Sequence, residues 1–501
     1  MDITKILTSF KIDPKSTLPM YLQIANCLAA KIIDLHIPSG TKLPPERILS
    51  QTLGVSRTTA INAYKLLEDR SLVSTKIGSG TYVTAAGSSP SPSIPWEQLF
   101  IPQYNSPLSS LLRTMVASPT AENAISLAAG MPDPALYPLD IIESAFKRSN
   151  YQLNAADFGH IHTEGYQPLR HSLSKWLVKT GVPSRPDNLL IVSGSQQGLY
   201  LIVKTFIEPR DYIVVESPTY LGAIQAFESA GARVLCLPQT NGYDLSMLED
   251  YLVRYRPKLF YTIPTFQNPT GRVASLRERQ DLIRLASRHR LVIIEDDPYS
   301  QLYYNQQPPP TLKALDTYGG VIYLGTFSKI LFPGLRIGWV NAPHSVINRL
   351  AQEKQYIDLH SNNIAQTFLN TFLEEDYLPG HLNTVRTEYK KRRDTMANAL
   401  KRYCGDYVNF ELSEGGFYLW CTIAPPASPT ELLRQSTAAG VSFVPGEAFY
   451  TNGAISREIR LCFATHNESR LAEGIRLLGR ILASGCTGTP SASPSTGLPI
   501  I

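Results

Sequence analysis

Gly325-Thr326-Phe327-Ser328-Lys329-Ile330-Leu331-Phe332-Pro333-Gly334-Leu335-Arg336-Ile337-Gly338 follows a strand-like run, Val321-Ile322-Tyr323-Leu324. It sets one lysine among small hydroxyl residues, with an arginine seven positions on. An amine captures an aldehyde, and hydroxyls with a guanidinium grip a phosphate. The combination suits a phosphate-bearing aldehyde and points to pyridoxal phosphate, hence to amino-acid chemistry or amino-acid sensing. A lone lysine is usually a solvated charge. This one is flanked by Phe327 after an apolar run, where desolvation favours Schiff-base formation.

Three other stretches share the placement after a strand. Leu291-Val292-Ile293-Ile294 ends in Glu295-Asp296-Asp297-Pro298-Tyr299. A carboxylate at the C-terminal end of a parallel strand sits where α/β ligand sites form, and an acid on the pyridine nitrogen makes the cofactor ring an electron sink. The plain reading is a strand-end turn. Ile263-Pro264-Thr265-Phe266-Gln267-Asn268-Pro269-Thr270-Gly271 offers Asn268 to a ring hydroxyl, or is a simple Asn-Pro turn. Ser193-Gly194-Ser195-Gln196-Gln197-Gly198 stands between a strand and a helix, where free backbone N–H groups cradle a phosphate.

Apolar runs Leu189–Val192, Tyr212–Val215, Leu259–Ile263, Leu291–Glu295 and Val321–Leu324 are separated by helix-length stretches. That alternation predicts a mostly parallel α/β sheet over residues 108–484. At 501 residues the chain is long enough for two or three domains. Residues 85–107, rich in Ser, Pro and Gly, read as a linker, and 485–501 as a disordered tail. No uninterrupted apolar stretch is long enough for a membrane span, and the N-terminus lacks a secretory pattern. Six cysteines without a CxxC pair argue against a disulfide framework and a zinc site, so no metal is expected. A reducing cytoplasm is the expected location.

Net charge is +5. Residues 1–84 hold ten Lys/Arg against six Asp/Glu, so the excess lies almost wholly at the front. A small basic module before a near-neutral body suggests a polyanion partner. Within 15–84, Pro19 opens an amphipathic helix through Ile33, with Leu22, Ala25, Ala29, Ile32 and Ile33 on one face. Pro44-Pro45 precedes a short helix from Glu46 to Leu53, and Gly54 suits a left-handed cap. Ser56 caps a third helix, Arg57 to about Asp69. Leu72-Val73 and Thr81-Tyr82-Val83 flank Lys76–Gly80 as a two-stranded wing. Helix, Gly-containing turn and a helix opening Ser-Arg-Thr-Thr is a helix-turn-helix layout, in which Arg57 reads guanine or grips phosphate while Thr58 and Thr59 touch backbone.

This stretch resembles the winged helix-turn-helix head of GntR-type regulators. The matching pieces are Pro19–Ile24, Gly40–Arg47, Leu53–Thr59 and Gly78–Val83, in order and spacing. The resemblance implies DNA contacts at Arg47, Ser56, Arg57, Thr58, Thr59 and Gly78. One departure is Ala60-Ile61-Asn62, where a second basic residue is usual.

The four body pieces together resemble the fold-type I aminotransferases, class I/II, over roughly residues 120–484. The implied fold is an α/β pyridoxal-phosphate-dependent transferase with a mostly parallel sheet, flanking helices and a small C-terminal α+β subdomain. By that resemblance Lys329 forms the Schiff base and shuttles the proton, Asp296 pairs with the pyridinium, and Tyr220 stacks on the ring. Tyr299 and Asn268 take the ring oxygen. Ser195, Gln196, Thr326, Ser328 and Arg336 are implied phosphate ligands. Arg460 is implied to grip a substrate carboxylate, and Gly130 to line the substrate side. A tyrosine usual before Gly165–Arg170 is missing; Phe158, Gly159 and His160 stand there.

A GntR-type head linked to an aminotransferase-like body resembles the MocR family of bacterial regulators, including PdxR- and GabR-like types. That implies a homodimer, pyridoxal phosphate in each body, and binding to double-stranded DNA half-sites modulated by the cofactor or by an amino compound. The alternative is an active aminotransferase carrying a DNA-binding head.

Overall fold

The computed structural model describes residues 6–8, 10, 12–13, 16, 18–34, 37–76, 80–84, 124–152, 159–239, 242–425, 428–451 and 456–485. The linker, Gly78, Phe158 and all but the first residue of the C-terminal tail lie outside that set. The chain divides into two compact units, Met1–Gln103 and Tyr104–Ile501.

The first unit carries three helices, α1 (Met20–Ile33), α2 (Glu46–Leu53) and α3 (Arg57–Asp69), and an antiparallel pair, β1 (Val73–Lys76) and β2 (Gly80–Val83). The bounds of α1 and α2 match the expected ones, and the buried face of α1 does so in part. Ile24, Ala25, Leu28, Ala29 and Ile32 are buried, whereas Leu22 is only half-buried. The stripe is centred on Ile24 and Leu28, the two larger side chains one turn apart, and Leu22 sits at its edge. These residues pack with Leu49, Ala60, Ala63, Tyr64 and Leu67. Gly54 adopts φ +65°, left-handed as its position after α2 requires. The wing gains a third edge not foreseen: Leu43 N–H donates to Thr81 O (2.8 Å) and Val83 N–H to Thr41 O (2.9 Å).

In the second unit, β3 (Ile125–Ser126) precedes a seven-stranded sheet. Its strands are β4 (Leu189–Val192), β5 (Tyr212–Ser217), β6 (Arg233–Pro238), β7 (Leu259–Thr262), β8 (Val292–Asp297), β9 (Val321–Thr326) and β10 (Gly338–Asn341). The order is β4-β10-β9-β8-β7-β5-β6, and only β10 runs antiparallel to its neighbours. Both faces are covered, as parallel strands require. Leu189 and Ile191 enter one core while Leu190 and Val192 enter the other, because the pleat sends alternate side chains to opposite sides.

A smaller sheet joins β11 (Val408–Phe410), β12 (Tyr418–Ile423), β14 (Val444–Pro445) and β15 (Glu458–Cys462) in the order β11-β12-β15-β14; β13 (Val441–Ser442) pairs in parallel with β3. The long helix Tyr377–Cys404 and the final helix Glu468–Gly485 belong to this region, and the latter runs one residue into the stretch read as tail.

The parallel sense of β4, β5, β7, β8 and β9 carries the loops after them to one edge of the sheet. Those loops hold Ser195, Tyr220, Asn268, Tyr299 and Lys329. The antiparallel β10 makes this possible for the 325–338 stretch. It turns the chain back after Arg336 and returns it between β4 and β9.

Candidate cofactor cavity and DNA-facing helix

Three acidic residues end β8, but only Asp296 faces the cavity at the sheet's edge. Glu295 accepts the N–H groups of Leu312 and Lys313, both at 2.8 Å. Asp297 accepts Ser300 N–H (2.9 Å) and the Tyr323 hydroxyl (2.8 Å). The pleat separates the middle carboxylate from its neighbours. Asp296 Oδ2 accepts the Tyr261 hydroxyl at 2.7 Å, while Oδ1 is buried without a partner among the described residues. Burial lifts this carboxyl to about 6, Asp297 adds to the rise, and Tyr261 and Lys329 oppose it.

The cavity holds about 200 Å³. Gly130, Ser195, Gln196, Tyr220, Asn268, Asp296, Tyr299, Thr326, Ser328, Lys329, Arg336 and Arg460 all line it. Every body residue given a part in holding the cofactor or its ligand is therefore gathered at one place. Lys329 Nζ donates to Gly130 O at 2.8 Å. Burial lowers its ammonium to about 8, Arg460 and Arg336 push the same way, and Cys462 and Asp296 oppose. More of this lysine is therefore the free nucleophilic amine at neutral pH than of an ordinary lysine.

Opposite Lys329, the helix Ser195–Phe206 starts at Gly194, which adopts φ +89° and offers no side-chain cap. The N–H groups of Ser195 and Gln196, the first two of the helix, are left for a ligand. Arg336 Nη2 donates to Ser193 O at 2.7 Å, and a Cβ on Gly194 would reach 3.0 Å from that guanidinium. Thr326 Oγ1 donates to Ser328 Oγ at 3.0 Å. Bare amides, two hydroxyls and a guanidinium form an anion cradle.

On the other side, Arg460 is buried. Its Nη1 donates to Asn268 Oδ1 (2.9 Å) and its Nη2 to Ala128 O (2.7 Å), while Nε is buried with no partner among the described residues. Its guanidinium lies 4.1 Å from the Tyr418 ring centroid and 5.0 Å from that of Phe449. Two residues of this region escaped the sequence reading. Tyr418 hydrogen-bonds Tyr299 hydroxyl to hydroxyl at 3.0 Å, and its own hydroxyl fills the space a Cβ on Gly130 would take. Tyr261 holds Asp296. Gly415-Gly416 before β12 was the one available signal for Tyr418; Tyr261 on a buried strand gave none.

His160 stands 3.3 Å from His360, and the position of Phe158 is outside the described residues.

In the first unit, Ser56 Oγ accepts Thr59 N–H at 3.1 Å, capping α3. Arg47, Ser56, Arg57 and Thr58 are exposed; Thr59 is half-buried with its hydroxyl 2.8 Å from Ser56 Oγ. Ile61 and Asn62, one turn beyond Arg57 and Thr58, are exposed on the same face, so the departure from the usual basic residue falls on the surface offered to a partner.

Residues 123–478 match the model of aminotransferase class I and II, and residues 20–83 match that of bacterial regulatory proteins of the gntR family. The chain belongs to the aminotransferase class I and II family. Its front unit is a GntR-type domain. Relatives of the same two-part length exist. The chain is 32% identical over 474 residues to the uncharacterized HTH-type transcriptional regulator YisV of Bacillus subtilis, covering 94% of this chain and 97% of that one. It is 28% identical over 495 residues to the probable rhizopine catabolism regulatory protein MocR of Rhizobium meliloti, covering 97% and 99%. Among solved structures, Pyrococcus horikoshii kynurenine aminotransferase in complex with PMP superposes with a TM-score of 0.73 at 36% identity, covering 79% of this chain and 99% of that one. The family implies pyridoxal phosphate as the cofactor. The cavity fits it: a buried carboxylate oxygen without a partner among the described residues awaits a ring N–H, the amine is desolvated, and the backbone packed around Gly338 leaves no room for a Cβ beside the cradle.

Proposed function

We propose that this protein is a bacterial transcriptional regulator in which the aminotransferase-like unit senses pyridoxal phosphate or an amino compound reacting with it, and the front unit binds DNA. The observation that carries this reading is the presence, in one chain, of a capped helix exposing Arg57 and Thr58 and of a fully lined cofactor cavity.

When bound, pyridoxal phosphate supplies an electrophilic carbon and an electron-withdrawing ring. The protein's residues do the rest. Ser195, Gln196, Thr326, Ser328 and Arg336 hold the phosphate, and Asp296 holds a proton on the ring nitrogen. Tyr220, Tyr299 and Asn268 orient the ring. Lys329 provides the amine and moves the proton at its Nζ. Arg460 selects ligands with a carboxylate through its unpartnered Nε and remaining Nη hydrogens.

Lys329 and Arg460 also hold consecutive parts of one segment, at Gly130 O and Ala128 O. That segment follows the linker in sequence. A ligand drawing either donor away leaves a carbonyl of this segment to find another partner. Two copies of the chain would present two heads to two half-sites. A DNA-binding front unit supports a cytoplasmic setting; among the described residues no helix is long and apolar enough to cross a membrane.

The test is a mobility-shift titration of DNA upstream of the protein's own gene, with and without pyridoxal phosphate and a panel of amino acids. Specific binding that the small molecules alter in wild type but not in Lys329→Ala is expected; no specific binding to any upstream region would sink the reading. The complete lining set also favours a second reading, an active aminotransferase. Amino-group transfer from a panel of amino acids to a keto-acid acceptor would establish it.

A further inference from the structure

The turn that begins the phosphate cradle is held from behind. Ser193 N–H donates to Gln197 Oε1 at 2.7 Å. Gln197 Nε2 donates to Asp358 Oδ2 at 2.9 Å. Asp358 Oδ1 in turn accepts Lys354 Nζ at 2.6 Å, and the Lys354 side chain is 0% exposed. On its other side Ser193 gives its carbonyl to Arg336. Gln197 and Asp358 are not among the residues lining the cavity.

Lys354 is buried and Asp358 keeps 26% of its side chain exposed, so burying the lysine costs desolvation that its pairing with Asp358 offsets. Here its polar route leads through one amide side chain to a single backbone group, Ser193 N–H. That amide fixes the Val192–Ser193 peptide, and Arg336 fixes the next one through Ser193 O; together they set the entry to Gly194, whose backbone at φ +89° aims the Ser195 and Gln196 N–H groups. A glutamine with both ends committed cannot rotate, and the carboxylate that orients it is pinned by Lys354.

We propose that Gln197 and Asp358 are positioning residues for the phosphate end of the cofactor, acting through Ser193 and stiffened by Lys354. They touch no part of the ligand. Their effect falls on recognition of the phosphate and leaves capture of the aldehyde by Lys329 unchanged. The proposal rests on the reading of this cavity as a pyridoxal phosphate site.

The experiment separates the two ends of the ligand. Full-length protein stripped of cofactor is titrated with pyridoxal phosphate and, separately, with pyridoxal, which keeps the aldehyde and lacks the phosphate. Binding is followed by visible absorbance. Gln197→Ala is expected to weaken pyridoxal phosphate about tenfold or more, the size of loss seen when a second-layer partner is removed, with pyridoxal affinity within about twofold of wild type. The double variant Lys354→Met with Asp358→Leu removes both partners of the ion pair together, so no unpaired charge is left on the buried lysine side, and is expected to show the same selective loss, which keeps the test open if Gln197→Ala fails to fold. Unchanged affinity for pyridoxal phosphate overturns the proposal, as does an equal loss for both compounds. A wild-type protein that takes up neither compound overturns the cofactor reading and the proposal with it.

Discussion

At the scale of single residues, the cavity is built from groups held away from their ordinary chemistry. Asp296 is the clearest. Its carboxyl ordinarily titrates near 3.8 and burial lifts it to about 6. A raised carboxyl favours the protonated form in the folded state, so stability is lost as pH rises from about 4 through about 6. Two pH units correspond to on the order of 3 kcal/mol. Asp296→Asn should therefore raise the melting temperature of cofactor-free protein at pH 7, with the gain vanishing toward pH 4, and should weaken cofactor binding. An identical gain at both pH values would show that desolvation of the charge is not the cause. The sequence made Asp296 visible because it ends an apolar strand, but three adjacent carboxylates left the choice to the resemblance; the pleat makes it physically. Tyr418 stayed hidden because its importance comes from what it meets. Arg460, Tyr299 and Gly130 are brought to it from three distant parts of the chain.

At the scale of elements, the strands and the head helices could be read closely, because buried parallel strands are nearly continuous apolar runs and the helices carry Pro, Ser and Gly punctuation. What could not be read was direction. Gly338-Trp339-Val340-Asn341 looks like any buried strand, yet it runs against its neighbours and closes the cradle. The pairing is tight: a Cβ on Gly338 would lie 2.8 Å from Gly194 C, Gly325 O and Ser195 N, all backbone. Gly334 has only Phe332 at 3.9 Å. Gly338→Ala is thus expected to cost about 1–3 kcal/mol or more by over-packing and to abolish cofactor absorbance. Gly334→Ala should leave both the melt and the absorbance near wild type. Ile24 and Leu28 were missed from the buried face of α1 for a related reason: a helix rich in apolar residues permits more than one stripe, and the packing partners choose.

At the scale of the whole molecule, charge and chemistry are divided between the two units. The cationic excess belongs to residues 1–84 and the reactive cavity to the rest of the chain. DNA affinity should fall linearly with salt on a double-logarithmic plot, with a slope set by the head's phosphate contacts. Arg57→Ala should reduce that slope by about 1 if Arg57 grips a phosphate, whereas Lys329→Ala should leave it unaltered. Fluorescence anisotropy of a labelled duplex across a salt series measures both. A slope that changes with Lys329→Ala would mean that the aminotransferase-like unit itself contacts DNA.

The same division extends to light. The chain's four tryptophans are Trp96, Trp176, Trp339 and Trp420, and residues 1–84 contain none. Trp339 is buried against Gly325, at the root of the Lys329 loop, with Trp176 edge-on at 5.8 Å. Trp420 packs 5.6 Å from Phe449, one of the two rings covering Arg460. Emission from Trp176, Trp339 and Trp420 therefore reports the surroundings of the cavity, while the helices of the front unit hold no indole. A change in that emission on ligand addition, recorded while a labelled duplex is watched in a second colour, would let both halves of the molecule be followed in one cuvette without attaching a dye to the protein.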